Sequence, residues 1–225
     1  MTTSGVLFCK ETVPDFQKLR AVLLDRDGVL NEEPGPPLTP EEFVWIPGSA
    51  EAVALLNRQG WLVTLVTNQS VFARGRLTES GLAAIHQKMR KELAEVGGKV
   101  DGIFYCPHHP KWENGRLRTA PAPPCGCRKP EPGLLAQAGA AFGFMPDEAV
   151  LIGDKTSDFE AAVRWGCPNI GVRTGYAGSD GNCDRSPDVW AEDLSSAVEW
   201  LLGQEESRKP KKPISTSLLQ TKWRR

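Results

Sequence analysis

Two aspartates stand two residues apart in Leu23-Leu24-Asp25-Arg26-Asp27-Gly28-Val29. They close a short apolar run, Ala21 to Leu24, of the kind that forms a buried strand. Residues i and i+2 of a strand point to one side, so both carboxylates can face one crevice. A pair placed this way can hold a hard cation such as Mg²⁺ through oxygen. It can also divide labour, one carboxylate attacking while the other moves a proton. An Asp-Gly turn would account for the same residues, so their weight depends on what the other strand ends carry.

Those ends are polar in a consistent way. The run Trp61 to Val66 leads into Thr67-Asn68-Gln69-Ser70, which offers hydroxyl and amide groups. Lys129 offers a cation where the chain enters a later helical stretch. Val150 to Ile152 leads into Gly153-Asp154-Lys155-Thr156-Ser157-Asp158, with further carboxylates for a metal. A separate set lies in a long Pro- and Gly-rich loop. Cys106-x-His108 and Cys125-x-Cys127, sixteen residues apart, supply three thiols and an imidazole, the donor set of a closed tetrahedral zinc site. His109 competes with His108 as the fourth ligand. Four protein ligands leave no open position for water, so such a zinc is expected to be structural. Cys9, Cys167 and Cys183 have no comparable company.

The elements that must carry these groups alternate along the chain. Apolar runs at 21–24, 61–66, 102–105, 150–152 and 169–172, with a possible short sixth at 188–190, read as strands covered on both faces. Helices are expected over 49–59 with Ser49 as N-cap, 78–96 opening at Thr78, 132–142 opening on Pro132, 157–165 and 194–202. This alternation predicts an α/β fold: a Rossmann-like parallel sheet with helices on both faces. At the carboxyl edge of such a sheet ligands bind. The loops 31–47 and 107–130 are long for a compact domain and are expected to serve function.

With 225 residues, 40% apolar and 24% charged, the chain has the balance of a globular protein with one main domain. No run approaches the ~18 apolar residues of a membrane span, and the first twenty residues lack the layout of a secretory signal. A cytoplasmic enzyme without a membrane partner is therefore expected. The net charge of −1 hides an asymmetry. From Gly203 onward seven basic residues face two acidic ones, leaving a body of charge −6. An acidic body without an aromatic-basic stripe makes nucleic acid an unlikely substrate. The basic tail at 203–225 is expected to be disordered, with contact to an anionic partner as its alternative role.

Taken together, Asp25-Arg-Asp-Gly-Val29, Val66-Thr-Asn-Gln-Ser70, Arg128-Lys-Pro130 and Gly153-Asp-Lys-Thr-Ser-Asp158 resemble the four motifs of the haloacid dehalogenase superfamily of phosphohydrolases. The resemblance runs from about Ala21 to Leu202. Asn31, Ala73-Arg74-Gly75 and Tyr105-Cys-Pro-His-His-Pro110 point further to its subgroup of heptose bisphosphate and histidinol phosphate phosphatases. The resemblance implies a haloacid dehalogenase fold without a large cap domain, and a phosphatase domain at 20–202 between an extension at 1–19 and the tail. It implies Asp25 as nucleophile, Asp27 as general acid and base, and Thr67 and Lys129 as phosphoryl stabilisers. Mg²⁺ would be held by Asp25, the Asp27 carbonyl and Asp154, with Asp158 supporting the metal shell or Lys129. Zinc would be held by Cys106, His108, Cys125 and Cys127 in a loop over 106–127. Substrate contacts are implied for Arg26, Glu33, Gly35, Asn68, Gln69, Ser70, Arg128 and Lys155. The implied reaction removes the 7-phosphate of a heptose 1,7-bisphosphate, a small phosphorylated sugar. Histidinol phosphate, a nucleic-acid 3′-phosphate and a non-catalytic binding role are the alternatives.

The sequence departs from the subgroup at two places. Val71 stands where glycine is usual and Val29 where threonine is frequent. The loop expected to meet the sugar carries Glu33-Pro34-Gly35-Pro36, and proline offers no N–H to a ligand.

Overall fold

The computed structural model describes residues 19–120 and 125–206. Its centre is a six-stranded parallel sheet in the order β3-β2-β1-β6-β7-β8. The strands are β1 (Ala21–Leu24), β2 (Leu62–Asn68), β3 (Gly102–Cys106), β6 (Ala149–Gly153), β7 (Asn169–Val172) and β8 (Val189–Ala191), and the intervening β4 (Trp112–Glu113) and β5 (Arg116–Leu117) form a small hairpin. The helices are α1 (Ser49–Arg58), α2 (Glu79–Glu95), α3 (Gly133–Phe142), α4 (Thr156–Trp165) and α5 (Leu194–Glu206).

Strand alternation divides the core in two. Val22 and Leu24 of β1 face one side with Val63, Leu65, Val150 and Ile152, under α1, α2 and α5. Ala21 and Leu23 face the other side with Val66, Ala149 and Leu151, under α3 and α4. All four β1 residues are buried, and each fully buried leucine or valine contributes about 1.5–3 kcal/mol relative to exposure. The strand order reverses between β1 and β6, so Asp25 and Asp154 emerge side by side at the topological switch point.

Local chemistry explains most boundaries. Thr78 caps α2, its hydroxyl accepting the Gly81 N–H at 3.2 Å. Ser49 is not the cap of α1: Gly48 takes that place at φ 82°, and Ser49 is the first helical residue. Its hydroxyl lies 2.7 Å from Leu30 O and 2.8 Å from Ile46 O, tying both ends of the loop before the helix. The loop after β3 is less irregular than expected. Asn114 (φ 48°) and Gly115 (φ 78°) form the turn of the β4–β5 hairpin, both in the left-handed region that a two-residue hairpin turn demands. Val71 is buried in the core, so its side chain fills space that glycine would leave.

No large domain is inserted between the strands among the described residues. The domain end expected at Leu202 falls inside α5, which continues to Glu206. Residues 1–18 and the basic tail from Ser207 onward lie outside the described residues. Among the described residues, no helix is long and apolar enough to cross a membrane.

Candidate active site

The carboxyl edge of the sheet opens into a cleft of about 1170 Å³ lined by Asp25, Asp27, Thr67, Lys129, Asp158 and Lys155, among others. Asp25 follows β1 directly. Its Oδ1 accepts the Arg26 N–H at 2.8 Å and lies 3.1 Å from Lys129 Nζ. Burial works against its charge, yet Lys129 and Lys155 hold its carboxyl below the ordinary aspartate range. It is therefore held as an ionised carboxylate facing the cleft.

Lys129 is buried and ion-paired twice, to Asp25 at 3.1 Å and to Asp158 at 2.6 Å. Burial opposes its charge, but the two carboxylates push its pKa above the usual lysine value. Asn68 fixes its backbone from both directions: Nδ2 donates to Lys129 O at 3.0 Å and Oδ1 accepts Lys129 N–H at 3.1 Å. Asn68, expected to bind substrate, thus spends its amide on positioning Lys129 at the cleft wall. Thr67 Oγ1 accepts a hydrogen bond from Gln69 Nε2 at 3.0 Å, which leaves the threonine proton free to donate into the cleft.

Asp27 sits in a dense cradle. Its Oδ1 accepts from Arg26 Nε (2.9 Å), Arg26 NH2 (2.8 Å) and Asn31 Nδ2 (3.1 Å). Its Oδ2 accepts from Arg26 NH2 (2.9 Å) and Gln69 Nε2 (2.9 Å). Two expected substrate contacts are corrected here. Arg26 and Gln69 are both 0% exposed and do not line the cleft. The Arg26 guanidinium, two residues beyond the end of β1, is held against Asp27 and turns inward, 3.4 Å from His86 Nε2 on α2. Burial and the Arg26 and Arg90 charges bring His86 down to about 4. Gly35 lies exposed outside the cleft lining, where Pro36 takes part instead, whereas Glu33, Ser70, Arg128 and Lys155 all line it.

Carboxylate oxygens of Asp25, Asp154 and Asp158 come within 4.8 Å of one another. The Lys155 ammonium occupies the middle of the oxygen set expected for a metal. It lies 2.7 Å from Glu33 Oε2, 3.3 Å from Asp154 Oδ1, 3.4 Å from Asp27 O and 3.7 Å from Asp25 Oδ2. Burial raises Asp154 to about 8 and Glu33 to about 7 despite the lysine. Five acids (Asp25, Asp27, Glu33, Asp154, Asp158) share this centre with three bases (Arg26, Lys129, Lys155), a surplus of two acids, of which burial favours the neutral form of Asp154 and Glu33 until a cation is bound. Hard oxygen donors with that surplus fit a divalent cation such as Mg²⁺. Asp158 points at Lys129 rather than into this set alone, in keeping with a supporting role.

The zinc donors also converge. Cys106 Sγ lies 3.7 Å from Cys125 Sγ, 3.1 Å from Cys127 Sγ and 3.6 Å from His108 Nδ1. Cys127 Sγ is 3.4 Å from Cys125 Sγ and 3.3 Å from His108 Nδ1. These separations are too long for disulfides and approach the ~3.8 Å edge of a tetrahedron with ~2.3 Å Zn–S bonds. Burial works against the Cys125 thiolate, but the Arg128 N–H and its sulfur neighbours bring the thiol down to about 6. The donor set fits a structural zinc. His109 is outside the cluster and turns toward Arg74.

Residues not singled out from the sequence complete the cleft. Tyr176 stacks on the Lys155 ammonium, 4.9 Å from ring centroid to Nζ, and donates its N–H to Asp154 Oδ2 at 2.8 Å. Thr174 Oγ1 donates to Gly28 O at 2.6 Å and Asp180 Oδ1 accepts the Thr156 N–H at 2.6 Å. The signal was a long polar loop, 173–188, after a strand at the ligand-binding edge.

A switch-point Asp-x-Asp pair, followed by a hydroxyl, a lysine and an acidic strand end, defines the haloacid dehalogenase class of hydrolases. A family model described as HAD-hydrolase-like matches residues 126–197. A heptose-1,7-bisphosphate 7-phosphatase of Bordetella bronchiseptica is 37% identical over 188 residues, covering 82% of this chain and 98% of that protein. The corresponding phosphatase of Thermosynechococcus vestitus is 38% identical, covering 80% and 94%. A crystal structure of the B. bronchiseptica enzyme complexed with magnesium and phosphate matches with a TM-score of 0.72 at 35% identity, covering 83% of this chain and 99% of that one. The chain belongs to the heptose-1,7-bisphosphate 7-phosphatase family of HAD-like hydrolases.

Proposed function

We propose that the chain is a Mg²⁺-dependent phosphomonoesterase that removes the 7-phosphate of D-glycero-D-manno-heptose 1,7-bisphosphate. The observation that carries this reading is Asp25, an ionised carboxylate at the switch point with Lys129 3.1 Å away. The names of the relatives at 37–38% identity supply the substrate.

Asp25 attacks phosphorus, forming an aspartyl-phosphate, while the P–O bond to the sugar breaks. Asp27 gives its proton to the departing sugar oxygen. In the second half Asp27 takes a proton from water, whose oxygen attacks phosphorus and releases inorganic phosphate and free Asp25. Splitting one displacement into two lowers each barrier. Both Asp27 oxygens are held by Arg26, Asn31 and Gln69, so proton delivery exchanges one of these contacts for the substrate oxygen. Thr67 and Lys129 donate to the phosphoryl oxygens, where fixed donors act most strongly as charge redistributes. Bound by Asp25, the Asp27 carbonyl and Asp154, Mg²⁺ would screen the repulsion between nucleophile and phosphate.

Cys106, His108, Cys125 and Cys127 would hold zinc, and their ligation would fix the base of the segment that carries Arg128 and Lys129. Arg128, Lys155, Glu33 and Ser70 then form the substrate wall. Thiols gathered around a metal site rather than bridged support a reducing, cytoplasmic setting. The test is phosphate release from heptose 1,7-bisphosphate, histidinol phosphate and a 3′-phosphorylated oligonucleotide, with Asp25→Asn as blank. Fastest turnover of the heptose bisphosphate, lost in the variant, is expected. Equal turnover by Asp25→Asn would refute the mechanism.

A further inference from the structure

Gln69 is fully buried and lies between the groups that follow the first two strands. Its Nε2 donates to Asp27 Oδ2 at 2.9 Å and to Thr67 Oγ1 at 3.0 Å. A side-chain amide nitrogen has two protons, so each bond uses one and neither is left over. The neighbours also fix which way the amide points. Turned over, Oε1 would face an Asp27 carboxylate oxygen, acceptor against acceptor. As it stands, Oε1 is buried with no hydrogen-bond partner among the described residues. Burying an unanswered amide oxygen costs free energy that an apolar side chain of the same length would avoid. What offsets it here is the pair of bonds from Nε2.

The other donors to Asp27, Arg26 and Asn31, come from its own turn and would move with it. Gln69 follows β2 and so ties Asp27 to the neighbouring strand. Its backbone is itself fixed. Gln69 N–H donates to Cys106 O at 2.8 Å, and Asn68 pairs with Cys106 in the β2–β3 register. The amide therefore stands on the edge of the sheet rather than on the loop beyond it. One buried nitrogen thus sets the spacing between the carboxylate that handles the proton and the hydroxyl that meets the phosphoryl group.

We propose that Gln69 is a positioning residue for both half-reactions, one that yokes Asp27 to Thr67 and touches no substrate. The inference rests on the phosphatase reading above and adds to it the residue that keeps the proton carrier in register with the phosphoryl donor. In the first half the P–O bond to the sugar breaks, its electron pair stays on oxygen, and the Asp27 proton neutralises that oxygen. In the second half water gives a proton to Asp27 as its oxygen bonds phosphorus and the bond to Asp25 breaks. Each transfer needs Asp27 at a set distance from the phosphorus that Thr67 helps to hold, and small displacements there slow reaction steeply. A sugar alkoxide needs the proton in order to leave, whereas a nitrophenolate leaves without it. The contribution of Gln69 therefore depends on the leaving group, which a general loss of packing does not.

Single-turnover release of the leaving group, with the full chain in excess over substrate, reads this difference. Gln69→Met should slow release of the sugar from heptose 1,7-bisphosphate about a hundredfold, and release of nitrophenolate from 4-nitrophenyl phosphate less than about tenfold. Steady-state KM should stay within about threefold of wild type, because Gln69 does not line the cleft. Equal slowing of both esters, or of neither, overturns the proposal. Nuclear magnetic resonance tests the yoke without changing residue 69. Two Gln69 Nε2–H resonances protected from solvent exchange are expected, with Asp27→Asn moving mainly one of them and Thr67→Val mainly the other. Rapid exchange of both, or a shift of neither, overturns the assignment. Failure of the wild-type chain to release either leaving group would instead sink the phosphatase reading, with the resonances still deciding the yoke.

Discussion

Replacing Arg26 by methionine separates two roles that the sequence leaves together. If the guanidinium bound substrate, its loss would raise KM and leave the fold alone. The structure buries it completely and gives it three of the five hydrogen bonds that Asp27 receives. Removing one partner of a buried ion pair costs about 3–5 kcal/mol, because the other charge stays buried. Here the Asn31 and Gln69 amides remain on Asp27, so the lower end of that range, about 3 kcal/mol, applies. For a chain of this size each kcal/mol moves the melting temperature by about 2–4 °C, giving a fall of about 6–12 °C. Asp27 would also lose its orientation, and a misplacement of the acid by ~1 Å can slow turnover about a hundredfold. Thermal unfolding by circular dichroism and steady-state phosphate release on the same preparation measure both. A tenfold rise in KM with melting temperature and kcat unchanged would refute the placement of Arg26 behind Asp27.

Cys127→Ser should lower zinc content and phosphatase activity together, because Arg128 and Lys129 follow that ligand directly; full activity in zinc-free protein would break the link. His86 is held at about 4 in the folded state, below the 6.5 of a free imidazole. The unfolded chain therefore takes up the proton first, and the stability tied to neutral His86 is lost as pH falls from about 6.5 to about 4. A melting-temperature profile across that window should be flatter for His86→Gln than for wild type, and parallel profiles would discount the histidine. Gly75→Ala places a Cβ against Gly115 Cα in a left-handed conformation; a loss of about 1–2 kcal/mol in urea unfolding is expected, and an unchanged midpoint would show that the two loops yield. Lys155→Met removes the ammonium from among the metal oxygens. Calorimetry should then find Mg²⁺ bound about tenfold more tightly, as the cation no longer displaces a charge from Asp154 and Glu33. Weaker binding would show that Lys155 organises the site.

The sheet was legible because its strands are nearly all apolar and end in polar groups. Leu24 followed by Asp25, and Ile152 followed by Gly153-Asp154, mark both the strand ends and the side on which chemistry sits. Ser49 misled because a serine before an apolar-periodic stretch is the usual cap, and only the fold shows Leu30 and Ile46 competing for its hydroxyl. The hairpin after β3 was missed inside a stretch read as loop, because its strands are two residues each, too short to show periodicity. Arg26 and Gln69 could not be told from cleft residues in one dimension. Their neighbours Asp25, Asp27, Asn68 and Ser70 do line the cleft, and the inward-turned Arg26 meets His86, sixty residues away, while Gln69 turns to Asp27 and Thr67. Tyr176 reaches the site across a loop whose composition gives no register.

The distribution of charge also explains why one cleft can suit a doubly anionic substrate. Its floor gathers five acids, Asp25, Asp27, Glu33, Asp154 and Asp158, against three local cations, and a metal held there would draw out the charge that burial suppresses on Asp154 and Glu33 and offset it for an incoming anion. Its outer wall is the reverse, since Arg74, Arg128 and Lys111 have no carboxylate partner among the described residues. The wall charges would therefore draw an anion to the rim, and a divalent cation held by Asp25 and Asp154 would favour its entry to the floor. A substrate with two phosphates can satisfy both regions at once, whereas one with a single phosphate must give up the wall to react. A preference for a bisphosphate would follow from the spacing of charge along the cleft, and raising ionic strength should narrow the gap in kcat/KM between the two substrates, since rim charges in solvent are screened and the buried ion pairs of Lys129 are not.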